Sequence, residues 1–108
     1  MKYLLFVLLL CAGPVATGAE PRQYHAGEVN RNESAYQWAK REATILARTG
    51  RVYHPLGCAP GTRFSGCGSS YTYGKPNHCY LNIPQSRIIA RACVQGRNGM
   101  WYWSMHAR

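Results

Sequence analysis

The sequence lacks aspartate altogether, and its four acidic residues are glutamates that all lie in the first half of the chain. Against them stand 13 lysines and arginines in 108 residues, which give a net charge of +9. No carboxylate side chain follows Glu42. Such an excess of positive charge attracts polyanions such as nucleic acid, anionic lipid headgroups or acidic cell-wall polymers. The arginines are scattered rather than clustered, so a charge that serves solubility alone is the alternative interpretation.

Long hydrophobic runs are also missing. The one uninterrupted apolar run, YLLFVLLLCA, begins at Tyr3 and is too short to span a bilayer, which takes about 20 residues. It follows Lys2 and is followed by small residues up to Ala19. This layout is typical of a secretory signal peptide. We therefore predict that residues 1–19 are a signal peptide and that the protein is secreted or periplasmic.

Cys11, inside the apolar run, leaves one alternative to simple cleavage. Lipoprotein processing modifies a cysteine that follows a small residue, but here the bulky Leu10 precedes it. The protein is therefore expected at a membrane only if Cys11 is lipidated. After cleavage at Ala19, twelve basic residues face four glutamates, a net charge of +8.

The remaining chain is too short for a large hydrophobic core. Residues 20–108 suit one small domain, and a chain of this size buries only about 60–65 % of its unfolded surface, so covalent staples matter. An even number of cysteines in a short exported chain indicates two disulfides, whose pairing the sequence leaves open. The four cysteines are Cys58, Cys67, Cys79 and Cys93.

The glycine-rich stretch GCAPGTRFSGCGSS, residues 57–70, lacks the spacing that two other kinds of site require. Zinc knuckles place their ligands in tight pairs, but Cys58 and Cys67 are nine residues apart, and His78 and Cys79 are adjacent. A phosphate-binding loop needs a lysine and a following helix, and this stretch has neither. We therefore predict a disulfide-stapled loop, with no metal and no cofactor.

Apolar residues recur at three- and four-residue steps through SAYQWAKREATILART, which predicts an amphipathic helix. Asn32 or Ser34 can cap its start, and Gly50 supplies the left-handed residue that ends it. Before the helix, residues 20–31 are polar and without periodicity, so we predict a loose N-terminal arm. The apolar stripe that must face a core consists of Ala35, Trp38, Ala39, Ile45 and Leu46.

The C-terminal stretch RIIARACVQGRNGMWYWSMHAR predicts a β-hairpin around Asn98 and Gly99. A type I′ turn needs positive φ at both central residues, and these two residue types favour it. With that turn, Val94 faces Trp103, and one side of the hairpin is apolar while the other is mostly polar. We expect the apolar side, with Trp103, to pack against Trp38 of the helix.

Together these elements predict an α+β fold for residues 32–108. A helix packs on a small antiparallel sheet that ends in the C-terminal hairpin, and disulfides staple the structure. Residues 51–54 and 70–73 are candidates for short strands. Cys93 falls on the outer side of the hairpin, so its disulfide partner must bring the turn-rich middle segment across that side as a lid.

Four features together resemble the CAP superfamily, the group of cysteine-rich secretory, antigen 5 and pathogenesis-related 1 proteins. They are the helix motifs WA at Trp38 and LA at Leu46, the following His54, and the aromatic final strand WYW at Trp101, preceded by Val94. The matches cover about half of the predicted mature chain. The resemblance implies an α-β-α sandwich around an antiparallel sheet, with His54 lining a cleft.

The sequence departs from the family pattern at the cleft. Members usually carry a glutamate in a GEN-like strand and a second histidine, whereas this chain has Phe64-Ser65-Gly66 at the nearest position, and His78 stands in a different motif. The resemblance therefore implies a trimmed, non-catalytic SCP-domain binding module whose ligand is unknown.

Four residues are predicted to bind a ligand: His54, Arg63, Ser65 and His78. His54 is the best candidate for chemistry, but no second acid or base can be named beside it and no Gly-x-Ser-x-Gly motif is present, so no catalytic residue is assigned. The alternative function is a basic effector that cleaves a polyanion as a nuclease does. We expect a monomer that binds an anionic polymer or envelope surface without specific nucleic-acid recognition.

Overall fold

The structure is a computed structural model that describes residues 25–108, so the predicted signal peptide and Cys11 lie outside the described residues. The described chain folds into one α-helix, four strands and a short 3₁₀ turn. In chain order these are β1 (Val29–Asn30), α1 (Glu33–Thr49), β2 (Phe64–Ser70), the 3₁₀ turn (Gln85–Arg87), β3 (Ile88–Gln95) and β4 (Trp101–Ala107).

The four strands form one antiparallel sheet in the order β1-β3-β4-β2. The hairpin strands β3 and β4 are central, and α1 packs across them on one face. This arrangement confirms the predicted α+β class and the helix on an antiparallel sheet. Within residues 25–108 the opposite face is covered by irregular chain rather than by a helix, which differs from the three-layer sandwich that the resemblance implies.

The helix α1 begins and ends at signals that are present in the sequence. The side chain of Asn32 accepts a hydrogen bond from the backbone N–H of Ala35, which makes Asn32 the N-cap. Gly50 ends the helix with φ of 68°, and its N–H donates to the carbonyl of Leu46 at 2.8 Å. Of the two predicted N-caps the structure therefore selects Asn32, and the terminus at Gly50 is confirmed.

Small side chains let α1 lie close to the sheet. Ala35, Ala39 and Ala43 of the helix are all buried, as are Ala90 and Ala92 of β3. Because alanine projects only a methyl group, the helix and the sheet approach closely at this contact. The centre of the interface is thus formed by alanines rather than by large apolar side chains.

Trp38 lies at the flank of this contact instead of its centre. Its ring is partly buried, and its Nε1–H donates to the carbonyl of Gly57 at 3.1 Å. The guanidinium of Arg41 lies over the Trp38 ring, with its Cζ atom 5.4 Å from the ring centre. Trp38 therefore joins the helix to the segment that follows it.

The hairpin register differs by one residue from the predicted one. Among the turn residues, Gly99 has a positive φ of 85° and Asn98 does not. The N–H of Gly99 donates to the carbonyl of Gly96 at 3.0 Å, which places Arg97 and Asn98 at the centre of a type I turn. Gly99 then forms the bulge that completes a three-residue hairpin loop. The predicted type I′ turn is therefore wrong, although the hairpin itself is present.

This shift of one residue exchanges the two faces of β4. Ala92 pairs with Ser104, so Ser104 faces α1 and Trp103 faces away from it. Trp103 is fully buried on the far face, where its Nε1–H donates to Ser70 Oγ at 3.1 Å. The predicted contact between Trp103 and Trp38 is therefore wrong.

The far face of the sheet is covered by residues 71–83, which we call the lid. Its backbone at Asn77 and Cys79 runs directly over β2, where a Cβ atom added at Gly68 or Gly66 would overlap the two carbonyl oxygens. Only glycine permits an approach this close. The middle segment therefore covers the second face as predicted.

Strand β2 replaces the two short strands that the sequence suggested. Residues 51–54 have no regular secondary structure, and of residues 70–73 only Ser70 belongs to a strand. β2 instead lies inside the glycine-rich stretch that we interpreted as a stapled loop. The glycines that weaken its strand propensity are the residues that admit the lid, so tertiary contact outweighs local preference here.

Part of the predicted N-terminal arm belongs to the sheet. Val29 and Asn30 form β1 against β3, and Glu28 is completely buried. The loose arm predicted for residues 20–31 is therefore wrong for residues 28–30, and the folded domain begins before residue 32.

No sulfur–sulfur bond joins the four cysteines of the described chain. Cys58 and Cys79 are exposed, whereas Cys67 and Cys93 are buried. By strand register Cys67 lies on the α1 side of the sheet and Cys93 on the lid side. The predicted stapling is not seen here and stays a prediction.

Candidate functional site

Two of the four predicted binding residues meet in the structure. His54 Nδ1 lies 3.2 Å from Ser65 Oγ at the exposed edge of β2. Arg63 is exposed just before that strand, where its backbone N–H donates to the carbonyl of Ala107. Within residues 25–108 the hydrogen-bond partner of the His54 ring is thus a hydroxyl, and this pair does not provide the two titratable groups of acid–base catalysis.

His78, the fourth predicted residue, is buried on the opposite face and does not join His54. Its Nδ1–H donates to the carbonyl of Cys79 at 2.7 Å, which leaves Nε2 as an acceptor. Arg91 Nη1 lies 3.4 Å from that Nε2 atom, and Arg91 Nε donates to the carbonyl of Gly27 at 2.7 Å. These bonds tie the lid to β3.

Arg91 is a buried cation that, among the described residues, has no carboxylate partner. Burial lowers the pKa of Arg91. Burial and the neighbouring positive charge of Arg91 also lower the pKa of His78, so the imidazole stays neutral and can accept the hydrogen bond. Among the described residues, the buried positive charge of Arg91 is therefore stabilised by the dipoles of a backbone carbonyl and a neutral imidazole, without a carboxylate.

The most extensive polar cluster lies between α1 and the sheet, and the sequence analysis did not find it. Glu42 Oε1 accepts hydrogen bonds from Ser104 Oγ at 2.7 Å and from His106 Nε2 at 3.1 Å. The other carboxylate oxygen accepts from the backbone N–H of Leu56 at 3.0 Å. Glu42, Ser104 and His106 are all completely buried.

The protonation of His106 follows from its second nitrogen. The backbone N–H of Ala59 donates to Nδ1 at 3.2 Å, so Nδ1 carries a lone pair and the ring proton is on Nε2. The contact with Glu42 is therefore a charge-assisted hydrogen bond. Burial alone would raise the pKa of Glu42, but hydrogen bonds from His106 and from two further donors outweigh burial and lower the pKa below its ordinary value.

This cluster contains the residue types of a hydrolase triad but not its geometry. In a triad the carboxylate binds the imidazole nitrogen that faces away from the serine. Here Glu42 and Ser104 both lie at Nε2 of His106, and Nδ1 is engaged by the backbone. The cluster is also fully enclosed, so substrate cannot reach it. It stabilises a carboxylate in the core and joins α1 to β4.

A second glutamate, Glu28, is satisfied inside the protein in a similar way. Its Oε2 accepts from the backbone N–H of Cys93 at 2.7 Å and lies 3.6 Å from Lys40 Nζ. Its Oε1 accepts from the Tyr36 hydroxyl at 3.1 Å and from the His25 N–H at 2.9 Å. Burial, and secondarily the charge of Glu28, raises the pKa of the Cys93 thiol to about 12.

Because Glu28 and Glu42 are buried, the described surface carries one exposed acidic side chain, Glu33. Nine basic side chains are exposed on the same part of the chain. Among the exposed side chains of this part of the chain the net charge is therefore +8, and a single acid offsets the basic residues. The nine are Arg31, Arg41, Arg48, Arg51, Arg63, Lys75, Arg87, Arg97 and Arg108.

A groove of about 610 Å³ separates the last turn of α1 from the hairpin turn. Arg48 and Thr49 line it on the helix side, and Gln95, Arg97 and Asn98 line it on the hairpin side. Sequence reasoning missed this groove because its two walls come from segments about fifty residues apart.

Within residues 25–108 no three histidine, cysteine or acidic side chains are grouped so that they could hold a metal ion. No helix in that part of the chain is long and apolar enough to cross a membrane. Comparison with known proteins adds no assignment, since no family model, curated protein or solved structure matches the chain.

Proposed function

We propose that the protein is an exported, non-catalytic binding module that holds a polyanion on its basic surface. The observation that carries the proposal is the distribution of charge. On the described surface nine basic side chains are exposed, against one acidic side chain, Glu33. Most of the nine are arginines, whose planar guanidinium groups match phosphate and sulfate oxygens. Kinship with the CAP superfamily is part of the proposal, and the packing of a WA/LA helix on an aromatic-ended hairpin supports it.

Binding to heparin and to single-stranded RNA at several salt concentrations tests this function. Contacts between arginines and anionic groups release counterions, so the logarithm of affinity should fall linearly with the logarithm of salt concentration. We expect measurable binding at low salt that is lost as salt rises. Absence of binding to both polymers even at low salt would show that the charge serves solubility alone.

The nuclease alternative is kept because His54 is exposed beside Ser65 on a basic surface. It requires that RNA is cleaved and that His54→Ala abolishes the cleavage. We expect no turnover, because His54 has no titratable partner among the described residues. Cleavage that disappears in His54→Ala would establish the enzyme instead.

The framework of two disulfides is also part of the proposal, with the pairing of the four cysteines left open. Cys79 Sγ lies 3.8 Å from the backbone carbonyl oxygen of Cys67, but the Cys67 side chain is on the α1 side of the sheet, away from the lid. Disulfide formation must therefore bring together two thiols that are apart here. In an oxidising compartment the two thiols lose two protons and two electrons to an exchanging disulfide. Alkylation of all four cysteines in the unreduced protein, measured by intact mass, would contradict this.

A further inference from the structure

Beside the groove, the hairpin turn comes close to the end of α1 at Gly96. A Cβ atom at Gly96 would lie 2.9 Å from the ring of Tyr102 and 3.1 Å from the carbonyl oxygen of Ala47. Glycine therefore lets the turn rest on the end of the helix, while Arg48 and Arg97 rise on either side. The groove therefore has an arginine on each wall, Arg48 on the helix side and Arg97 on the hairpin side.

Both guanidinium groups are available to a ligand. Arg48 and Arg97 are exposed, and among the described residues neither forms an ion pair. Arg51 adds a third cation at this end of the molecule, with its Cζ atom 4.9 Å from the centre of the Tyr53 ring. Tyr53 packs against the buried cluster that contains Leu46 and Tyr102.

Aromatic rings are exposed on the other side of the same turn. Trp101 pairs with Gln95, a residue of the groove wall, and its ring contacts Tyr73 at a centroid distance of 4.8 Å. The ring of His25 lies 6.1 Å from that of Tyr73 on the same cluster. Tyr73 is 51 % exposed and the nearby Tyr71 is 85 % exposed, so both present ring surface to solvent.

Cations and exposed rings suit different polyanions. A sulfated polysaccharide needs only the cations, whereas a single-stranded nucleic acid uses cations for its phosphates and rings for its unpaired bases. In duplex nucleic acid the bases are already stacked, so exposed rings contribute little. Two exposed tyrosines, Tyr71 and Tyr73, follow directly after Ser70, the residue of β2 that pairs with Trp101, and this favours the nucleic acid.

We propose that the hairpin end of the protein binds single-stranded nucleic acid without sequence specificity, with phosphates on Arg48 and Arg97 and bases on Tyr73 and Trp101. The proposal rests on the polyanion-binding function above and adds its location and ligand class. The C-terminal end of α1 repels an anion weakly. The two guanidinium groups outweigh that repulsion because they bring full positive charges to the groove.

The location is tested with a fluorescently labelled oligouridylate and two variants of equal charge. Arg48→Gln/Arg97→Gln removes the groove cations, and Arg31→Gln/Arg108→Gln removes two exposed cations at the far end of the sheet. We expect the groove variant to weaken binding by at least about tenfold and the control to change it by less than about threefold. Equal weakening in the two variants would overturn the placement and leave polyanion binding intact.

The ligand class is tested by removing one ring. Tyr73→Ala is compared with Tyr80→Ala, which lies in the same lid at nearly the same exposure of 49 %. We expect Tyr73→Ala alone to weaken oligouridylate binding by roughly 5- to 100-fold, the usual value of one stacked base, with heparin binding unchanged. If Tyr73→Ala leaves RNA binding unchanged, or weakens heparin binding equally, a sulfated polysaccharide or another plain polyanion replaces nucleic acid as the ligand. If the unmodified protein binds neither polymer, the proposed function itself fails.

Discussion

The two faces of the sheet bury charge in opposite ways. Beneath α1, the carboxylate of Glu42 receives hydrogen bonds from Ser104, His106 and a backbone N–H, and all three side chains are inaccessible to water. Beneath the lid, the guanidinium of Arg91 is held by a carbonyl and by the neutral ring of His78. One face thus buries an anion among strong donors, and the other buries a cation among weaker acceptors.

This difference explains why the described surface keeps a single exposed acid, Glu33. The core of the helix side removes an acid from the surface, and Glu28 removes another at the edge of β3. Residues 71–83 of the lid contain no acid, because no carboxylate side chain follows Glu42. We therefore expect the helix side to depend on its carboxylate and the lid side to depend on a neutral histidine.

The largest effect is expected on the helix side. Glu42→Ala should lower the free energy of unfolding by about 5 kcal/mol, since it leaves several buried donors without an acceptor and opens a cavity. The same change at the exposed Glu33 should cost about 1 kcal/mol or less. Denaturant titration measures both values, and a loss at Glu42 no larger than at Glu33 would contradict the buried network.

The next effect separates the two tryptophans that the sequence analysis placed together. Trp103→Ala should cost about 3–4 kcal/mol, because its ring is fully buried under the lid. Trp38→Ala should cost about 1–3 kcal/mol, since that ring is only partly buried and loses one hydrogen bond. Equal losses of stability in the two variants would contradict this difference in burial. A coupling energy between the two substitutions in the double variant would indicate that Trp38 and Trp103 are in contact after all.

At acidic pH the lid side should weaken before the helix side. The pKa of His78 is lowered from its ordinary 6.5 by burial and by Arg91, so below that pH the unfolded chain takes up a proton that the native chain resists. Stability is therefore complete above about pH 6.5 and falls as pH drops through the lowered value, by at most about 1.4 kcal/mol per pH unit. The lowered pKa of Glu42 adds a second loss only below its ordinary 4.5.

A scan of unfolding free energy against pH, run with His78→Gln, separates these two stages. Glutamine can accept from Arg91 and donate to Cys79 but does not titrate in this range. We expect the variant to lose the stage near neutral pH and to keep the one below 4.5. A first stage that persists in His78→Gln would assign it to another group.

The smallest expected effect is a difference in reaction rate among the four thiols. Measuring these rates reports on both faces of the sheet without any substitution. In the reduced, folded protein, Cys58 and Cys79 are exposed and should react with iodoacetamide first. Cys67 should react slowly because burial and the nearby Glu42 raise its pKa, and Cys93 because its pKa is about 12. Peptide mapping at early times measures this order, and fast labelling of Cys67 would show that the helix side opens readily.

The elements with strong local signals could be predicted from the sequence. The N-cap at Asn32, the terminus at Gly50 and the C-terminal hairpin each depend on residues that act on their immediate neighbours. The turn type was not predictable from Asn98 and Gly99 alone, since this pair also suits a type I turn followed by a glycine bulge. One residue of register then decided which side chains face α1.

The candidate sites depended on tertiary contacts and could not be read from spacing. His106 and Ser104 meet Glu42 across more than sixty residues of sequence, and their alternation in β4 resembles that of any half-buried strand. The pairing of His54 with Ser65 brings two predicted residues together, whereas His78 is directed to the other face by the lid. Contacts between residues so far apart in sequence leave no periodic signal from which they could be predicted.

The central claim, that exposed arginines at the hairpin end contact a polyanion, is tested most directly by the salt dependence of oligouridylate affinity. Each phosphate contact on a single strand contributes about −0.7 to the slope of log affinity against log salt. We predict that Arg48→Gln/Arg97→Gln makes the slope shallower by about 1.4, and that Arg31→Gln/Arg108→Gln leaves it unchanged. A slope that is the same in the unmodified protein and the groove variant would contradict the account.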